Sequence, residues 1–400
     1  MARKTVLPRV EGFRFSGVRC GIKERGLDLA LIASDRPANA AGVFTRSTVP
    51  GAPVLLSKRR LRGGRAQAVV VNSGISNVAM GEAGRLAALE MSALAAAELG
   101  IAPAQTLVAS TGVIGEALPL EKIRLGVPRA ARALDPAGLP RAARAIMTTD
   151  TVPKLAGRVF RVRGRRYAVA GIAKGSGMIQ PRMATMLAFL VTDAPVEAGF
   201  LKQLWREVAE DTFNRVTIDG ETSTSDSAVI LANGAAGGAP ARGPRSAAAP
   251  GLREAMHAVA SELARALARD GEGATKLVTV SVAGARSHGQ AEKAARAIAN
   301  SPLVKTALFG GDPNWGRILQ SVGAVRVALR LERTEVRLCG VPVFRAGAST
   351  GPAARARAGR RLRAPEVEIA VRLGAGGGEA RLWTCDYSPE YIRINAEYTT

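Results

Sequence analysis

Apolar runs of strand length alternate with stretches of helical periodicity along most of this 400-residue chain. "AQAVVVNSG" (66–74) and "TLVASTGVIG" (106–115) read as strands, the second running into a glycine turn. Between them "EAGRLAALEMSALAAAELG" (82–100) has helical spacing and ends on Gly100, a residue suited to a helix C-terminus. "APVLLS" (52–57) also reads as a strand. "DPAGLPRAARAIMTTDT" reads as a helix beginning near Pro136. "VEAGFLKQLWREVAED" (196–211), "LREAMHAVASELARALARDGEG" (252–273) and "GQAEKAARAIANS" (289–301) read as helices. "TKLVTVSVAGA" (275–285), "EVEIAVRLG" and "EARLWTCDYS" read as strands. Such alternation predicts an α/β or layered α+β architecture, with sheets packed between helices. The Gly-, Ala- and Pro-rich segment 233–251 predicts an exposed loop or hinge.

Composition narrows the function classes. An apolar fraction of 47% allows a sizeable core. No stretch reaches the roughly 20 apolar residues of a membrane span. The basic N-terminus lacks the apolar segment and cleavage site of a secretory signal. Cys20, Cys339 and Cys385 are too widely spaced for a disulfide framework or a CxxC motif, so a cytoplasmic protein is expected. The net charge of +23 invites a nucleic-acid reading, but aromatic residues make up only 4%, which leaves few platforms for base stacking. Arginine is spread over the whole chain, and an attraction for anionic substrates fits that spread better than a nucleic-acid groove does. The two histidines, His257 and His288, lack metal-ligand spacing, so no metal is expected. "AKGSG" has its lysine before the glycines and is no phosphate-binding loop.

The segment "AKGSGMIQPRMATMLAFLVTDA" (173–194) starts as a glycine turn and ends as a buried strand, with Thr185 at the strand entrance. Threonine is a good strand former, and one reading stops there. The other makes Thr185 a nucleophile. A chain poor in histidine needs another base. The α-amino group of an N-terminal threonine, with a pKa of about 7.7–8.0, can take the proton of its own hydroxyl. Exposing that amine requires the Ala184–Thr185 bond to be cut by attack of the threonine hydroxyl on the preceding carbonyl. Small Ala184, with Gly175 and Gly177 upstream, leaves room for such an attack. The residues alone leave both readings open.

The wording of this segment closely resembles the processing site of the ornithine acetyltransferase family, the bifunctional glutamate N-acetyltransferases of arginine biosynthesis. "GIKERGLDLALIASDRPANAAGVFT" (21–45), "ASTGVIG" (109–115), "IMTTDTVPK" (146–154), "DTFNRVTIDGETSTSDS" (211–227), "GATKL" (273–277), "GDPNWGRI" (311–318) and "CDYSPEYIRINAEYTT" (385–400) resemble further family blocks, in family order. Two positions depart from the pattern: Ile75 replaces a polar residue in "NSGISNVAMG", and Arg182 stands where asparagine is usual.

The resemblance implies an ornithine acetyltransferase/DmpA-like fold that cuts itself between Ala184 and Thr185. The products are an α chain (1–184) and a β chain (185–400), held together as an α2β2 heterotetramer. Thr185 takes an acetyl group from N-acetylornithine and passes it to glutamate through an acyl-enzyme. No cofactor is implied, and acetyl-CoA stays open as a co-substrate. The Thr111 hydroxyl and Gly112 N–H, on a turn after a strand, fall where the family has its oxyanion hole. Without the resemblance they would be an ordinary strand exit. Lys174 is implied as an anchor for the substrate carboxylate and Glu272 as a partner for the substrate amino group. On their own, the first reads as a solvated lysine and the second as a surface-turn glutamate. Thr148, with Thr149 beside it, matches a substrate-contacting threonine. Asn395 and Thr400 match C-terminal substrate contacts, and a C-terminus without a polar tail predicts an ordered, buried end. Alternative readings are a related self-processing hydrolase or peptidase, an acyltransferase of secondary metabolism, and a nucleic-acid-binding protein. No nucleic acid or membrane is expected as the partner.

Overall fold

The computed structural model describes residues 7–180 and 186–397. Two sheets are each packed against helices. The first is built from β1 (Phe13–Val18), β2 (Leu29–Phe44), β3 (Arg65–Ile75), β4 (Thr106–Val113), β5 (Lys154–Val162), β6 (Arg165–Lys174), β7 (Leu187–Thr192) and β8 (Ser227–Ala232). Its order is β4-β3-β2-β8-β7-β6-β5, with β1 paired to the first half of β2. Strand β2 is long enough to serve two neighbours in turn. Residues 29–34 pair with β1, and Asn39 to Phe44 pair with β8.

The central strands β7 and β8 are buried at every position. Continuous burial means both faces of the sheet are covered, as in parallel sheets with helices on each side. The pair β7/β8 is indeed parallel. One face packs on α5 (Ala198–Asp211) and α6 (Ala249–Arg269), where Phe200, Leu204, Trp205, Met256 and Leu263 meet Val169, Leu190 and Ile230. On the other face, α4 (Leu139–Ala145) covers Phe15, Val69 and Phe189. The β3/β4 end is covered by α1 (Ala52–Arg60), α2 (Gly81–Leu99) and α3 (Leu120–Arg132).

The second sheet contains β9 (Leu277–Ala285), β10 (Glu335–Leu338), β11 (Val341–Arg345), β12 (Ala348–Ser349), β13 (Glu366–Arg372) and β14 (Gly378–Cys385), in the order β12-β11-β10-β13-β9-β14. The helices here are α7 (His288–Asn300), α8 (Pro302–Phe309), α9 (Trp315–Ala324), α10 (Pro352–Arg361) and α11 (Pro389–Glu397). Helix α6 also contacts β9 and β14, so it lies between the two sheets.

Most of the expected elements are present, including Gly100 at φ +64° closing α2. Three expectations are corrected. Residues 52–57 are not a strand but the start of α1, which runs on through Lys58, Arg59 and Arg60. Pro53 fits a helix's first turn, where its missing N–H costs nothing, and the basic last turn suits the negative end of the helix dipole. The helix expected near Pro136 begins only at Leu139, because Asp135 to Gly138 form a turn closed by the Gly138 N–H on the Asp135 carbonyl. The buried C-terminal segment expected is not found as far as the described residues reach, through Glu397. No residue of α11 is buried, and Ile392 is 71% exposed.

The motif "DPNWGR" has a local explanation. Asn314 Oδ1 accepts the Arg317 N–H at 3.1 Å and caps α9, while Trp315 packs on Phe344 with ring centroids 5.0 Å apart.

Candidate active site

Strand ends converge at one edge of the first sheet. β3 and β4 run parallel and deliver Gly74 and Thr111–Gly112 side by side. β6 delivers Lys174 opposite Leu187, the first residue of β7. β8 starts at Ser227, paired with both Leu187 and Phe44. The cleft at this edge is lined by Ser76, Thr111, Gly112, Thr148, Thr149, Lys174, Gly177, Ser225, Glu272 and Asn395, among others. Six of the sequence-derived candidates therefore meet: Thr111, Gly112, Thr148, Lys174, Glu272 and Asn395. Ala184, Thr185 and Thr400 lie outside the described residues.

Lys174 is the centre of the arrangement. Its ammonium donates to Thr148 Oγ1 at 2.7 Å and to Thr111 Oγ1 at 3.2 Å. It is a buried lysine and not the solvated strand-end residue that its sequence position alone suggests. Burial lowers its pKa, the Asp150 carboxylate opposes that shift, and Lys154 reinforces it. A hydroxyl has one hydrogen and two lone pairs. Lys174 occupies a lone pair on Thr111, so the Thr111 hydrogen is free to point at a developing oxyanion. Gly112 sits at φ +129°, and a Cβ there would come within 2.2 Å of the Gly74 backbone. Only glycine allows β3 and β4 to end this close together.

Thr148, rather than Thr149, is the one bonded to Lys174. Its loop is fixed by a buried ionic triad. Lys154 reaches Asp150 Oδ1 at 2.6 Å and Asp270 Oδ2 at 2.5 Å. Asp150 also accepts the Gly175 N–H at 2.7 Å and the Thr148 N–H at 3.1 Å. Burial pushes the Asp150 carboxyl up, but Lys154, Lys174 and the Gly175 N–H outweigh it and hold the group at about 2. On the far side, the Glu272 N–H donates to the Ser176 carbonyl at 2.8 Å, and Asn395 Nδ2 donates to Glu272 Oε2 at 2.9 Å. A Cβ on Gly177 would strike the Glu272 carboxylate at 2.2 Å, so this glycine lets the carboxylate lie against the 175–177 turn.

Together these groups present a cation and hydroxyls on one wall and a carboxylate on the other, with candidate oxyanion donors between. The set suits an amino acid whose acyl group is being transferred. A larger groove of about 740 Å3 beside Lys58, Arg62 and Lys202 holds neither a carboxylate nor a buried ion pair, so the chemistry is assigned to the smaller cleft. Among the described residues, no group of three or more His, Cys, Asp or Glu is placed to hold a metal, and no helix is long and apolar enough to cross a membrane. His257 is exposed on α6, and His288 Nδ1 contacts the Glu379 carbonyl.

The triad of Asp150, Lys154 and Asp270 was not legible as a unit in the sequence. Asp150 and Lys154 stand four apart outside any helix, and Asp270 is remote in the chain. The one signal is that Asp150 and Lys154 share the quoted family block "IMTTDTVPK"; Asp270 falls in none.

The ArgJ family matches residues 14–400. This chain belongs to the ArgJ family. It is 47% identical to the arginine biosynthesis bifunctional protein ArgJ of Geobacter sulfurreducens, over 98% of this chain and 100% of that one. It is 48% identical to ArgJ of Thermus thermophilus, over 98% and 99%. Among solved structures, ArgJ of Bacillus halodurans matches with a TM-score of 0.51 and 37% identity, over 54% of this chain and 100% of the solved chain. The ArgJ assignment agrees with the layered fold and with the resemblance carried by the sequence blocks.

Proposed function

We propose that this ArgJ chain cuts itself between Ala184 and Thr185 and uses Thr185 to move an acetyl group from N2-acetyl-L-ornithine to L-glutamate. Family membership makes it an acetyltransferase of arginine biosynthesis. The observation that carries the assignment of roles is the Lys174 ammonium held between Thr111 and Thr148, facing Glu272 across the cleft. Lys174 and Thr148 take the substrate carboxylate, and Glu272, Asn395 and Thr400 take the amino end.

The Thr185 hydroxyl attacks the acetyl carbonyl as its proton passes to the α-amine. The Thr111 O–H and Gly112 N–H hold the oxyanion, and such donors matter because they are oriented before charge develops. The C–N bond breaks, the leaving nitrogen takes the proton, and ornithine departs. Glutamate's amine then attacks the acetyl-Thr185 ester and restores the hydroxyl. The scheme needs no cofactor, and acetyl-CoA would enter by acylating the same hydroxyl.

Self-cleavage has two further supports. The Bacillus halodurans chain is matched in full by 54% of this one, the same share of the chain that residues 185–400 make up. The fold also tolerates the cut, because β6 pairs with β7 and β2 with β8 across it. The products remain associated, and we assign them to an α2β2 heterotetramer in the cytoplasm.

The test is intact mass under denaturing conditions, on fresh wild type and Thr185→Ala, followed by an acetyl-transfer assay. Two wild-type species, the second starting at Thr185, with one uncut and inactive Thr185→Ala chain, are expected. Acetate release that does not depend on glutamate would replace the transferase with a hydrolase. An uncut but active wild type would remove the N-terminal nucleophile altogether.

A further inference from the structure

The α-amine of Thr185 can serve as base only after the cut that creates it. In the intact chain that nitrogen is an amide with no basic lone pair. The first turnover of the molecule, its own cleavage, therefore needs a proton acceptor from elsewhere. This question rests on the self-cleavage reading above.

Asp226 lies against Met186, the residue that follows the nucleophile, and is the candidate. It lies in the segment that enters β8, and it is 4% exposed. Its Oδ2 is the one buried carboxylate oxygen without a hydrogen-bond partner among the described residues. Burying such an atom unpaired costs on the order of 1–3 kcal/mol, so its retention calls for a reason. The surrounding chain is firmly held. The Thr45 N–H donates to the Asp226 carbonyl at 3.1 Å, and Thr45 Oγ1 donates to the Ser223 carbonyl at 2.6 Å. The Met186 carbonyl accepts the Ser227 N–H at 3.0 Å, and the Met186 N–H is directed at the Asp226 carboxylate. Met186 nitrogen is bonded to the carbonyl carbon of Thr185. Both backbone polar groups of the residue after the nucleophile are thus tied to Asp226 and its neighbour.

Competing groups are already committed. Lys174 feeds Thr111 and Thr148, and Glu272 receives Asn395. Lys174 is also the one charged group that bears on Asp226. Burial raises the Asp226 carboxyl well above the ordinary carboxylate range, against the pull of the Met186 N–H and Lys174, and a carboxylate so raised is a stronger base.

We propose that Asp226 is the proton acceptor for self-cleavage. Thr185 Oγ bonds to the Ala184 carbonyl carbon while its proton passes to Asp226 Oδ2. The acid so formed returns that proton to the Thr185 nitrogen as the Ala184–Thr185 C–N bond breaks. The acyl group is now an ester on Thr185 Oγ. Water hydrolyses it, leaving Ala184 as a new carboxylic acid and restoring the hydroxyl. Asp226 ends as it began, and the freed amine takes over as base for acetyl transfer.

The experiment follows full-length chains from a synthesis pulse in cell-free translation, quenched into denaturant and resolved by mass at pH 5 to 8. Wild-type cutting should accelerate with pH as the carboxyl ionises. Asp226→Asn should fold with an unchanged or higher melting temperature, because the buried charge is gone. It should cut at least ~100-fold more slowly and lose that pH dependence. Asp226→Glu should restore cutting in part, with a displaced midpoint. Wild-type rate and pH profile in Asp226→Asn would overturn the proposal and leave self-cleavage standing. So would equal slowing in both variants with the wild-type pH profile kept, the mark of a purely structural residue. A wild type that stays uncut, like Thr185→Ala, would remove the self-cleavage reading, and the role of Asp226 with it.

Discussion

The outer part of the second sheet and the cleft edge of the first handle charge in opposite ways. Along β10, β13 and the first half of β14 the pattern is plain alternation, and the buried charges of this sheet, Lys276, Lys305 and Asp386, gather only at its Cys385 end. Val336, Ile369 and Leu382 face the core, and Arg337, Glu368 and Arg381 face outwards. Salt bridges there, such as Arg337 with Glu335, are surface pairs, which contribute ~0–1 kcal/mol each. At one edge of the first sheet, Asp150, Lys154, Lys174, Asp226, Asp270 and Glu272 are all buried. Every strand that ends there brings a polar group out of water. Placing charges where solvent cannot screen them costs stability and gives strong, directed fields. The contrast separates a region built to hold its shape from one built to act. It also deals with the +23 charge: the arginines of the second sheet and α10 lie on solvated faces, away from the cleft.

Three substitutions put this contrast to the test. The largest effect is expected for Lys154→Met, which leaves Asp150 and Asp270 buried without their cation. A loss of about 3–5 kcal/mol should appear as a large drop in melting temperature. The same variant sharpens the acid behaviour. The Asp150 carboxyl is held below its unfolded value, so its contribution is complete above about pH 3.9 and is lost as the pH falls towards 2. Wild type should lose stability across that window, and Lys154→Met should lose less. A variant as stable as wild type would mean the triad is no more than another surface pair.

Thr111→Val removes one oxyanion donor and should lower kcat by about 10²–10³, with little change in melting temperature. A KM effect alone would place Thr111 in ground-state binding. The smallest effect belongs to the second sheet. Ile369→Val trims one buried methylene and should cost ~0.5–1.5 kcal/mol while leaving kcat/KM unchanged. Altered turnover in that variant would break the division between the two sheets.

Periodicity made the second sheet easy to read, because alternation along β13 shows directly which side is wet. It also exposed α2, α5 and α7. It failed at residues 52–57, where a short apolar run does not distinguish strand from helix and the continuation into α1 decides. In the cleft, the family resemblance identified Lys174 and Glu272, whereas the local sequence argued against both. A lysine at a strand end and a glutamate in a turn look solvated until the fold brings other chains of atoms over them. Asp150, Lys154, Asp270 and Asp226 lie beyond local reading for the same reason. Their partners are up to 119 positions away, and nothing in their immediate neighbours marks a buried charge.

The strand order β2-β8-β7-β6 places two strands from after the proposed cut between strands from before it, with a junction on each side. Each half supplies the hydrogen-bonding edge on which the other was folded. Neither can leave without opening the β2/β8 ladder and the buried β6/β7 ladder, and neither can accept a replacement. A population of such molecules would therefore never shuffle its halves. Every mature copy would keep the two pieces it was translated with, so a defect in one half could not be cured by mixing in a sound one, nor could it spread to a neighbour.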